Sequence, residues 1–75
     1  MAKDKRERFE DVAGKRVQHI IDKLNLLGNC SNRNNYEYNS EDVRKMFSAI
    51  KEALKRTEVR FEDELTKQEK KKFQF

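Results

Sequence analysis

The sequence predicts an all-α fold, an antiparallel two-helix hairpin. Three observations predict it. Apolar residues recur at steps of three and four in two long stretches, the signature of a helix with one buried stripe. A polar, asparagine-rich segment separates the two stretches. No proline occurs in the chain, so nothing forces a break within either stretch.

The first helix is expected from about residue 4 to residue 27. Phe9, Val12, Ala13, Val17, Ile20, Ile21, Leu24 and Leu27 form its stripe, and Glu7, Asp11, Lys15, Asp22 and Asn25 take the opposite face. Gly14 lies one step from the stripe. It is disfavoured by about 1 kcal/mol against alanine in a helix interior, and reads either as a close helix–helix approach or as a tolerated surface glycine. Gly28 follows the last apolar residue, where a glycine in the left-handed conformation commonly closes a helix.

The connection covers residues 28–39. The second helix follows from about 41 to 65 or longer, with a basic tail over 66–75. Ser40 is the expected N-cap, since its hydroxyl can accept a bond from a first-turn N–H. Glu41 and Asp42 then place negative charge at the positive end of the helix dipole. Val43, Met46, Phe47, Ile50, Ala53, Leu54, Thr57, Phe61 and Leu65 continue the spacing. The two expected helices match in length, at roughly 36 and 37 Å, as a hairpin requires.

Seventy-five residues make one small domain, residues 1–75, and 43% of them are charged against 35% hydrophobic. A core in a chain this short supplies only about 3–5 kcal/mol, and unstapled folds of this size often oligomerise. One cysteine excludes an internal disulfide, and Cys30 with His19 is too small a set for a metal site. Phe9, Ile20, Leu24, Phe47, Ile50, Leu54 and Phe61 exceed what one partner helix covers. The expectation is therefore that two chains pair into a four-helix bundle, or that the stripe docks on another protein.

No apolar run approaches the roughly 20 residues that span a bilayer, and no apolar segment follows the basic N-terminus. The reading is a cytoplasmic protein without membrane contact. Net charge is +4, with four basic and two acidic groups in residues 1–8 and four lysines against Glu69 in residues 66–75. Such ends read either as solvated helix termini or as contacts for phosphate or an acidic surface.

The candidate binding residues lie in the connection. Asn32, Arg33, Asn34 and Asn35 form its centre, with Tyr36 and Tyr38 alternating around Glu37. Short amide side chains can bond their own backbone two residues on, so a self-bonded turn accounts for most of them. Arg33 and the neighbouring amides can also meet phosphate, a base edge or a carboxylate. The tyrosines read either as a lid over the open end of the hairpin or as a stacking platform for bases.

No catalytic residue emerges. His19 sits beside the first stripe with no partner in a recognisable relation to it. Cys30 reads as a small packing residue rather than a nucleophile. Glu62, Asp63 and Glu64 are adjacent on a helix and point in different directions. No glycine-rich phosphate loop exists. An enzyme and a cofactor are not expected. The basic residues of the second helix are interleaved with Glu52, Glu58 and Glu62, which favours intrahelical ion pairs over a basic stripe. Nucleic-acid contact, if made, runs through the lysine-rich ends and Arg33, with weak, salt-sensitive affinity.

The segment from Leu27-Gly28-Asn29-Cys30-Ser31-Asn32-Arg33 through Asn34-Asn35-Tyr36-Glu37-Tyr38, followed by Glu41-Asp42-Val43-Arg44-Lys45-Met46-Phe47, resembles small helical proteins of bacterial plasmids and other mobile elements. The resemblance runs from about Arg8 to Phe61. It implies a bacterial or mobile-element origin and carries over no catalytic residue or substrate. Two functions follow as expectations: a mobile-element accessory protein that touches nucleic acid, or an adaptor or inhibitor that grips a protein through the loop and apolar face. A purely structural bundle is the third.

Overall fold

A computed structural model describes residues 4–72, with side chains through residue 68. Two α-helices make up the regular structure, α1 over Lys5–Asn29 and α2 over Ser40–Lys72. Among the described residues there is no strand. The chain divides into two units at Glu37/Tyr38, one built on α1 and the other on α2.

In the first unit, Asp4 caps α1. Its Oδ1 accepts the Glu7 N–H at 2.8 Å, and its carbonyl accepts the Arg8 N–H at 3.1 Å. The first satisfies one of the N–H groups that a helix start leaves open, and the second is the first bond of the helix itself. Within the helix, Arg6 pairs with Glu10 at 3.1 Å and lies 5.8 Å from the centroid of the Phe9 ring. Lys15 pairs with Asp11 at 3.4 Å.

The end of α1 corrects the expectation for Gly28. The helix runs through Gly28 to Asn29, and no described residue, glycine included, has a positive φ. Cys30 takes a right-handed conformation at φ −73°, ψ −5°. Its N–H donates to Leu27 O at 2.9 Å, and the Ser31 N–H donates to Gly28 O at 3.1 Å. These tightened i→i−3 bonds satisfy the last carbonyls, so a left-handed residue is not needed. A Cβ built on Gly14 or Gly28 meets nothing within 4 Å. No neighbour in the chain therefore requires glycine at either position.

The start of α2 is also corrected. Asn39, not Ser40, is the N-cap. Asn39 Oδ1 accepts the Asp42 N–H at 2.9 Å, and Asp42 Oδ2 accepts the Asn39 N–H at 3.0 Å. This reciprocal pair is a capping box. It wins because Asp42 stands three residues after Asn39, whereas Val43 stands three after Ser40 and has nothing to return. Ser40 becomes the first helical residue.

The expectation of equal lengths is corrected as well. α1 has 25 residues and α2 has 33, a difference of about two turns. Residues 66–72 continue the helix because Thr66-Lys67-Gln68-Glu69-Lys70-Lys71-Lys72 contains neither glycine nor proline and consists mostly of good helix formers. The basic tail is thus helical to Lys72. Phe73, Gln74 and Phe75 lie outside the described residues.

Among the described residues none is buried. Of the stripe residues expected to exceed one partner, Phe9, Ile20, Leu24, Phe47, Leu54 and Phe61 are exposed and Ile50 is half-buried. Ala13, Leu27 and Val43 are also half-buried. No helix among the described residues is long and apolar enough to cross a membrane.

Candidate functional site

The connection is organised by Asn32. Its Oδ1 accepts the Asn34 N–H at 2.9 Å, an Asx-turn. Its carbonyl accepts both the Asn35 N–H at 3.1 Å and the Tyr36 N–H at 3.0 Å. Three donors therefore converge on one residue, and the segment from Asn32 to Tyr36 closes into a single compact turn. Asparagine suits this place because its short amide reaches its own backbone without a left-handed φ.

The turn gathers five of the six candidate residues. Asn32 is its anchor. Arg33 and Asn34 form its outer corner, and Asn35 and Tyr36 close it. All five are exposed, Tyr36 at 51%. Tyr38 belongs to the other unit and is half-buried. The two tyrosines thus differ in environment, although they stand symmetrically around Glu37 in sequence.

The corner presents a guanidinium and side-chain amides, groups suited to phosphate, carboxylate or base edges. It holds no nucleophile with an adjacent base. Cys30, just before it, is exposed. This corrects its reading as a packed residue: it occupies the helix cap, where its backbone is used and its side chain meets solvent. Among the described residues no group of three or more His, Cys, Asp or Glu is placed to hold a metal ion.

A second candidate surface runs along each helix. On α2 the exposed apolar residues include Met46, Phe47, Leu54, Phe61 and Leu65. Six of the charges away from this stripe pair locally: Glu41 with Lys45 at 3.9 Å, Glu52 with Arg56 at 3.0 Å, and Glu64 with Lys67 at 3.6 Å. Of the interleaved acids Glu52, Glu58 and Glu62, Glu52 pairs with a basic residue of the helix. Each pair is exposed and contributes only about 0.3–0.5 kcal/mol.

Sequence reasoning missed three local features. The Asn39–Asp42 box was present as the spacing Asn-x-x-Asp before an apolar run. Arg6 over Phe9 was present as an i, i+3 pair. Leu26 and Val59 are exposed apolar residues outside the stripes, and the three–four template passes over them. Comparison with known proteins finds no matching family model, no matching curated protein and no matching solved structure.

Proposed function

We propose that this chain is a non-enzymatic binding module that works by self-association: α1 and α2 pair antiparallel, and two copies complete a four-helix bundle. The observation that carries this reading is the pair of amphipathic stripes: among the described residues none is buried, and Phe9, Ile20, Leu24, Phe47, Leu54 and Phe61 are exposed. Light scattering across micromolar concentrations is expected to give twice the chain mass, with helicity that falls on dilution. A monomer with a cooperative, concentration-independent melt would overturn the reading.

A second reading concerns the asparagine turn. Asn32 holds Arg33 and Asn34 at an exposed corner, on a chain of net charge +4. That arrangement supports weak, sequence-independent contact with nucleic acid, as an accessory protein of a mobile element would make. The measurement is affinity for duplex and single strands as a function of salt. Arg33→Ala is expected to weaken binding and to lower the slope of log K against log salt by about 1. Absence of binding to either strand form at low salt would dismiss this reading. A stable, nuclease-resistant complex with a different protein would favour an adaptor or inhibitor instead.

A further inference from the structure

The apolar residues of α2 are not merely amphipathic. Val43, Phe47, Ile50, Leu54, Thr57 and Phe61 follow one another at steps of 4, 3, 4, 3 and 4 residues. This is a strict heptad seam, the narrower pattern of a coiled coil. It is also symmetric about residue 52. Reversing the helix around that point places Val43 opposite Phe61, Phe47 opposite Thr57, and Ile50 opposite Leu54. Every residue of the seam then meets another residue of the seam. In heptad terms each layer pairs an a with a d position, the arrangement of an antiparallel coiled coil. The α1 residues at heptad spacing, Ala13, Val17, Ile20, Leu24 and Leu27, are odd in number: the reversal that pairs Val17 with Ile20 and Ala13 with Leu24 sets Leu27 opposite Glu10.

The charges along one edge of the α2 seam are symmetric about residue 51, one residue from the centre of the seam. Arg44 and Glu58 both border the seam on its same edge. No ion pair joins either of them to another described residue, whereas Glu41, Lys45, Glu52, Arg56, Glu64 and Lys67 are all paired within the helix. Reversal about residue 52 brings Arg44 of one helix near Glu58 of the other, twice over. Lys51 meets its own twofold mate, the one like-charged pair along this edge.

From the symmetric seam and the complementary Arg44 and Glu58 beside it, we infer that the occupant of the α2 apolar face is the α2 helix of a second copy, packed antiparallel about a twofold axis near Glu52. The inference rests on the self-association proposed above and names the helix, direction and register that perform it.

Spin labels test the direction. In full-length protein carrying Cys30→Ser, a label at Lys55→Cys lies about 9 Å along the axis from its mate, and a label at Lys67→Cys about 45 Å. A parallel pair keeps both separations short and equal, and that result overturns the inference while leaving self-association standing. Charge reversal tests the register. Arg44→Glu and Glu58→Arg each raise the dimer dissociation constant roughly three- to tenfold, and the double variant returns it to within about twofold of the original. Lys51→Ala lowers it. Failure of the double variant to recover, in a protein that still dimerises, rules out this register. A protein that stays monomeric at every concentration defeats the self-association reading as well.

Discussion

α1 and α2 carry stripes of the same periodicity and differ in nearly everything else. α1 holds both glycines of the chain, at Gly14 and Gly28, and its stripe is broad, spreading from Val12 to Ile21 around the helix. α2 has no glycine, runs eight residues longer, and carries a narrower stripe in which Val43, Phe47, Ile50, Leu54, Thr57 and Phe61 form a symmetric seam beside Met46, Ala53 and Leu65. An amphipathic pattern by itself says only that a face wants cover. Width, symmetry and flanking charge say what kind of cover. A broad stripe suits a helix that lays one face on the core of a globular fold. A narrow, self-complementary seam suits a helix that meets its own copy.

The largest effect expected from this difference compares two leucines of equal exposure, Leu54 at 58% and Leu26 at 57%. Leu54 lies in the α2 seam. Leu26 falls two residues after Leu24, beyond the Val12 edge of the α1 stripe. Leu54→Asp is expected to abolish self-association, raising the dissociation constant more than about 100-fold, because a carboxylate would be buried without a partner. Leu26→Asp is expected to leave association unchanged. Sedimentation of both variants reads the contrast. Equal loss in both would mean that exposure alone, not the seam, drives association.

A smaller effect separates the two helix starts. α1 opens on a single cap bond from Asp4, whereas α2 opens on the reciprocal pair of Asn39 and Asp42. Asn39→Ala is expected to cost about 1 kcal/mol of stability in a thermal melt, and Ser40→Ala only a few tenths. The reverse order would return the cap to Ser40.

The smallest effect concerns the glycines. Both have negative φ and open space at the Cβ position. Gly14→Ala and Gly28→Ala should each raise helicity and stability by up to about 1 kcal/mol. A loss at Gly28 would mean that the residue takes the left-handed conformation of a glycine cap.

The existence, type and approximate extent of both helices were legible in the sequence, because long three–four periodicity sums many small preferences into one signal. The self-bonded turn was legible as well, since Asn32 needs only its own neighbours to form an Asx-turn. Helix ends were less so. Gly28 and Ser40 each carry the standard residue type for their expected role, yet a tightened last turn and a capping box one residue upstream won. Such alternatives differ by about 1 kcal/mol or less, too little for residue type alone to decide.

The sequence by itself determined an all-α chain, two amphipathic stripes, a polar connection with Asn32-Arg33-Asn34 at its centre, and the interleaving of its surface charges. All of these depend on contacts within about four residues. Only the three-dimensional structure decided that α1 ends at Asn29 without a left-handed residue, that Asn39 and Asp42 cap each other, that α2 reaches Lys72, and that Tyr36 is exposed while Tyr38 is half-covered. It also decided that none of the described side chains is buried. Burial depends on the atoms that surround a residue from every direction, and a one-dimensional pattern specifies which face is apolar without specifying what, if anything, lies over it.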